Sequence, residues 1–173
     1  MLDVILVSNY SMKDELQESL MAHGYKFHDL MIQDIHHIER YPIDDEYTTI
    51  IIQSANAIKK IDASNNHIYN AKYIYGIGPN CRAWVKRKFS LDCIIPDDNY
   101  SSIGLIDKIK DNDNDLGNIL LLKGIGGKET IQNYLVSEKL PHNICNVYER
   151  ILNKDNLKSV ISKVNDGVIV IGF

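Results

Sequence analysis

Asn118-Ile-Leu-Leu-Leu-Lys123, followed by Gly124-Ile-Gly-Gly-Lys128-Glu129, decides how this chain is read. A short apolar run ends in a small, glycine-rich turn, and a helical pattern begins there. Ile50-Ile-Ile-Gln53 runs in the same way into Ser54-Ala-Asn-Ala57, and Tyr73-Ile-Tyr-Gly-Ile77 into Gly78-Pro79-Asn80. Strands alternating with helices predict a parallel sheet covered on both faces. Each turn sets backbone N–H groups at the carboxyl edge of that sheet, where α/β proteins bind anionic ligands.

The rhythm extends outward in both directions. Val4 to Val7 is a buried-strand run. Ser11 is placed to cap the next helix, with Asp14 in capping-box position and Met12, Leu16 and Leu20 on one face. Gly24 stands where a helix-ending glycine belongs. Tyr25 to Ile35 is extended, and the polar stretch from His36 to Glu46, broken by Pro42, reads as a connector. Further strands are expected at 48–53, 72–77, 92–95, 118–123 and 143–150, and helices at 55–61, 80–89, 102–110, 128–138 and 155–164. Gly167-Val-Ile-Val-Ile-Gly172 is a terminal strand with no helix after it. The fold class is α/β with doubly wound parallel sheets.

With 173 residues, 45% apolar and 24% charged, the chain has an ordinary globular composition for one domain or two small ones. The net charge of −4 is mixed along the chain, so no basic stripe marks a nucleic-acid surface. Lys86-Arg87-Lys88 reads as a solvated helix face. No apolar stretch approaches the roughly 20 residues of a membrane span, and the first residues carry no basic leader. Cys81, Cys93 and Cys145 lack metal spacing and read as reduced, buried thiols of a cytoplasmic protein. His36 and His37 are adjacent and so point to opposite faces of an extended segment, which leaves no metal set. Asp111-Asn-Asp-Asn-Asp115 alternates its acids as a calcium loop does, but lacks the glycine and glutamate such a loop needs. It reads as a flexible acidic surface loop.

The Gly124 turn departs from the common phosphate motifs at specific positions. A Walker loop would need glycine at Leu122 and Ser or Thr at Glu129, and the dinucleotide fingerprint would also need glycine at Glu129. Nucleotides are therefore disfavoured. What remains is a turn able to accept an anion, flanked by Lys123 and Lys128; taken alone it is equally a tight turn with two exposed lysines. Ser54 reads as a helix cap, Pro79 as a first-turn proline, and Ser101-Ser102 as capping serines. Tyr148 lies in the strand-like Asn143-Ile-Cys-Asn-Val-Tyr-Glu-Arg150. It is either a proton donor or an aromatic packed at a strand edge.

Singly these motifs are weak; their order is informative. Ser54-Ala-Asn-Ala57, Gly78-Pro79, Ser101-Ser-Ile-Gly-Leu105, Lys123-Gly-Ile-Gly-Gly-Lys-Glu129 and Val147-Tyr148-Glu-Arg150 follow one another in a series that resembles uroporphyrinogen-III synthases. Val4-Ile-Leu-Val-Ser8 and the helix to Gly24 fit the opening of that family. The chain departs from it at Ser8-Asn9-Tyr10, where Thr-Arg-Pro is common. Ile103 stands where an acid is common, and Lys128 replaces an arginine.

The resemblance implies two flavodoxin-like domains joined by two connecting strands, the first discontinuous. On that pattern domain one comprises 1–36 and 166–173 and is incomplete, domain two spans 40–150, and the connectors are 37–41 and 148–155. It implies a cytoplasmic, monomeric lyase of haem biosynthesis. Such an enzyme closes hydroxymethylbilane to uroporphyrinogen III with loss of water and inversion of ring D, with no cofactor, no metal, and neither nucleic acid nor membrane as partner. Ser54, Ala55, Asn56, Gly78, Pro79, Asn80, Ser101, Ser102, Lys123, Gly124, Gly126, Gly127 and Lys128 would hold substrate carboxylates, and Tyr148 would assist departure of the hydroxyl. A non-catalytic anion-binding module, or an inactive short form of the synthase, is the alternative.

Overall fold

The doubly buried strands come first, because their position fixes everything else. In the computed structural model, which describes residues 3–8, 14–38, 46–59, 61–62, 66–164 and 169–172, β6 (Ile119–Gly124) is buried along its whole length. It lies inside a five-stranded sheet of order β3-β7-β6-β4-β5, formed with β3 (Gln33–His37), β4 (Thr49–Ile52), β5 (Tyr73–Gly76) and β7 (His142–Leu152). β4 pairs in parallel with β5 on one side and β6 on the other, and β6 pairs in parallel with β7. The chain thus places β5 on one side of β4 and then crosses to the other for β6, which makes the β4–β6 junction a topological switch point.

Alternation along these strands sends side chains to two faces. Ile51, Tyr75, Ile119 and Leu121 pack with Leu105, Ile106 and Ile109 of α5 (Ser102–Asp111) and with Ile131 and Leu135 of α6 (Thr130–Ser137). α2 (Ala55–Lys59) packs on α4 (Pro79–Phe89), where Ile58, Val85 and Phe89 are buried. The helices are punctuated as their sequences imply. Pro79 occupies the first position of α4, and the Ser101 side chain accepts from Gly104 N at 3.2 Å to cap α5.

The three-stranded sheet has order β2-β1-β8, with β1 (Asp3–Ser8) parallel to both β2 (Lys26–Met31) and β8 (Ile169–Gly172). Within the expected Gly167–Gly172 run, Ile169–Gly172 thus forms a strand that pairs with β1 on the side away from β2. α1 (Asp14–Ala22) ends as its sequence implies, with Gly24 at φ +80 and Tyr25 N donating to Leu20 O at 3.1 Å. α7 (Lys154–Val164) begins on Asn153, whose side chain accepts from Asn156 N at 3.0 Å and donates to Asp34 at 3.0 Å. By its contacts the chain divides into a unit of Met1–His36 with Arg150–Phe173 and a unit of His37–Glu149. Both β3 and β7 carry the chain across that boundary.

Several expectations are corrected. The single extended stretch from Tyr25 to Ile35 is two strands, β2 and β3, in different sheets. The strand expected at 92–95 reduces to an isolated bridge between Tyr75 and Ile94, since Pro96 has no N–H to continue a ladder. A short helix, α3 (Asn66–Asn70), was not anticipated. The acidic loop is anchored inward, because Asn114 and Asn112 donate to the buried Tyr75 hydroxyl at 3.0 and 3.5 Å. The expected capping by Ser11, the packing of Met12, the Pro42 connector and Gly167 lie outside the described residues.

Gly104 shows how tightly the loop before α5 is held. A Cβ there would overlap Asn99 O and come within 2.8 Å of Asn99 Cβ. Gly104→Ala should therefore lower the free energy of unfolding by about 1–3 kcal/mol, as overpacking does. Chemical denaturation reads this directly, and an unchanged midpoint would show that the loop yields freely.

Candidate functional site

The carboxyl ends of β4, β5 and β6 each release a loop, and the three loops differ in what they offer. After β4, Ser54 accepts from Asn56 N at 3.2 Å through its hydroxyl and from Ala57 N at 2.9 Å through its carbonyl. It is the cap the sequence implies. After β5, Gly78 stands ahead of α4 in extended backbone at φ 175, with no side chain to cap the helix. The start of α4 is therefore met by bare backbone.

The loop after β6 is fastened more firmly than its sequence suggests. Gly127 N donates to Gly124 O at 3.1 Å, and Ile125 N donates to Tyr148 O at 2.9 Å. Gly127, expected to present its N–H to an anion, and its neighbour Ile125 thus have their N–H groups bonded within the protein. α6 starts only at Thr130, beyond the expected position. Lys123 is not an exposed lysine: it is 6% accessible, and its Nζ donates back to Lys128 O at 3.4 Å. Gln53 Nε2 donates to the same carbonyl at 2.7 Å. Two donors from the ends of β4 and β6 therefore converge on one carbonyl across the switch point. Lys128 itself is exposed.

Tyr148 is buried, at 2% accessible, with its ring centroid 6.4 Å from that of His37. It packs across Gly124, where a Cβ would overlap the ring and lie 2.6 Å from Cε2. Glycine is thus required at position 124 by the tyrosine above it.

A cleft of about 390 Å³ opens at this edge, lined by Gln53, Ser54, Ala55, Ile77, Gly78, Pro79, Asn80, Cys81 and Tyr100. It gathers Ser54, Ala55, Gly78, Pro79 and Asn80 from the expected site. Its lining does not include Asn56, Ser101, Ser102, Lys123, Gly124, Gly126, Gly127, Lys128 or Tyr148. Gln53, Ile77, Cys81 and Tyr100 were missed as site residues, although Gln53 is the polar residue that ends the Ile50–Ile52 run and so marks the strand's mouth. The lining carries no Lys or Arg, so an anion there would meet backbone dipoles rather than cations. A larger cavity, about 530 Å³, lies at the amino ends of β6 and β7 beside Glu46, Asn118 and His142. Ligands of open α/β sheets bind at the carboxyl ends, so the smaller cleft is the candidate site.

A mainly parallel five-stranded sheet covered by helices, with a cleft at its carboxyl edge, defines an α/β protein. Residues 14–171 match a family model described as uroporphyrinogen-III synthase HemD. The chain belongs to the uroporphyrinogen-III synthase family, and it is an enzyme of tetrapyrrole biosynthesis. Its fold is similar to a mutant uroporphyrinogen III synthase from Thermus thermophilus, with TM-score 0.63 and 10% identity over 98% of this chain and 72% of that one. A wild-type structure from the same organism gives TM-score 0.51, with 10% identity over 98% and 71%. A search of curated proteins found no match.

The thiols fit a structural role. Burial pushes Cys93 from 9.0 up to about 12 and Cys145 up to about 11, and it raises Cys81 as well. All three should resist iodoacetamide at pH 8 in the folded protein and react on unfolding, as mass spectrometry would record. Cys93 labelled at the rate of a free thiol would contradict its burial. The linked stability is full below 9.0 and falls as pH rises toward the folded values near 11 and 12, because the unfolded chain loses these protons first.

Proposed function

We propose that this chain closes hydroxymethylbilane to uroporphyrinogen III, with loss of water and inversion of ring D, as a hydro-lyase acting as a monomer in the cytoplasm. The family match over residues 14–171 carries the reading. Among the described residues no helix is long and apolar enough to cross a membrane.

The substrate is a linear tetrapyrrole bearing many carboxylates. Its terminal hydroxymethyl carbon loses hydroxide as the pyrrole nitrogen pushes electrons toward it. A proton delivered to the departing oxygen completes a molecule of water. The substituted α-carbon of ring D attacks the electrophilic azafulvene carbon to give a spiro intermediate. The bond from that α-carbon to the ring C methylene then breaks, the methylene rejoins ring D at its free α-position, and loss of the proton there restores the pyrrole with ring D inverted. The substrate can ionise unaided, so the protein's task is chiefly to hold one folded conformation.

The backbone at Ser54–Ala55 and Gly78–Asn80 is assigned to the carboxylates. The β6 loop, with Gly124, Gly126, Gly127 and Lys128, and the start of α5 at Ser101 and Ser102 are assigned the same task at the rim. A neutral lining of helix starts is compatible with both a net charge of −4 and a polyanionic ligand. Lys123 acts from beneath, through Lys128 O. Tyr148 is the candidate donor to the leaving hydroxyl.

Spontaneous closure gives the type I isomer, so the isomer formed reports on the enzyme. Incubation with hydroxymethylbilane should yield type III; a product that is type I alone would refute an active synthase and leave an anion-binding module. Tyr148→Phe should slow turnover by about 10²-fold, the low end for a positioned acid. Unchanged turnover would remove the proton-donor role.

A further inference from the structure

Tyr100 is a half-exposed aromatic at the mouth of the candidate cleft, and it is held from behind. It is 50% accessible and lines the cleft beside Gly78 and Asn80. Its hydroxyl donates to Asp97 O at 3.3 Å. A Cβ on Gly78 would sit 3.1 Å from Tyr100 Cβ, 3.3 Å from Cγ and 3.5 Å from Cδ1. The φ of 175 at Gly78 is extended backbone open to any residue, so conformation does not demand glycine there. Close approach of the tyrosine is the contact that glycine permits.

We infer that Tyr100 is a substrate-positioning residue, an aromatic platform on which one pyrrole ring of the linear tetrapyrrole lies. This rests on the synthase reading and extends it. The substrate has two kinds of group to hold, carboxylates and electron-rich rings. The backbone starts of α2 and α4 suit the first and offer nothing to the second. Tyr100 supplies an apolar π-face within the same cleft, and its tethers at Gly78 and Asp97 fix the ring. A fixed face is what steering one closure over another requires. The negative face of the ring also favours the positive charge that develops as the azafulvene forms.

The test compares Tyr100→Phe and Tyr100→Leu with the parent chain, using hydroxymethylbilane and scoring kcat, KM and the ratio of type III to type I product. Phe keeps the platform and its contact with Gly78 and loses the tether to Asp97, so it should change the isomer ratio less than Leu does. Leu should lower kcat/KM by about 3- to 30-fold and raise the type I fraction. Gly78→Ala, which presses on the ring from behind, should shift the isomer ratio in the same direction. Thermal unfolding of each variant separates these effects from loss of fold. An unaltered isomer ratio and KM in a folded Tyr100→Leu protein would overturn the inference while the parent still made type III. A parent that made type I alone would instead overturn the synthase reading on which the inference rests.

Discussion

The full burial of β6 is the constraint on which the rest depends. Every residue from Ile119 to Gly124 is buried, so both faces of that strand must be covered and its backbone groups must enter ladders on both sides. β4 and β7 supply the ladders, and α5 and α6 supply one of the covers. Polar chemistry cannot sit within such a sheet. It is displaced to the edge where strands stop and helices begin, where a cleft opens between the loops after β4 and β5.

The same constraint explains what could be read from the sequence. Strands buried on both faces appear as unbroken apolar runs, so β4, β5 and β6 were plain in Ile50–Ile52, Tyr73–Gly76 and Ile119–Leu122. Helix ends were plain where one residue type settles them, as at Gly24, Pro79 and Ser101. α3 was not legible, because in so short a helix the residues from His67 to Asn70 bury only Ile68 and show no period. The division of residues 25–37 between two sheets was hidden, because an extended pattern does not say which sheet it joins. Tyr100 and Gln53 were hidden for a related reason. Each matters through a partner distant in sequence, Gly78 for one and the Lys128 carbonyl for the other.

Charge is the second point at which sequence and structure part. Lys123 and Lys128 looked like a matched pair beside an anion loop. Folding sends one inward and leaves the other outside. The buried ammonium is spent on a carbonyl of its own loop, which Gln53 also holds. The cleft at the carboxyl edge is left with no Lys or Arg in its lining, so its polar character comes from backbone and neutral side chains.

The fastening of the β6 loop then becomes a functional matter. One end is held by Ile125 N on Tyr148 O and by the tyrosine ring over Gly124; the other is held at the Lys128 carbonyl by two donors. For an enzyme that must form a difficult bond, such rigidity would be one contribution among many. For a substrate that ionises and cyclises by itself, the competing product is always within reach, and selectivity is a small difference between two closures. A loop free to drift would let the reactive carbon meet the nearer, unsubstituted position. The β6 loop is held by Tyr148 on Gly124 and by two donors on the Lys128 carbonyl, and the cleft itself by Tyr100 against Gly78. On the proposed site, packing contacts around the cleft, rather than titratable side chains, would carry the selectivity of the reaction.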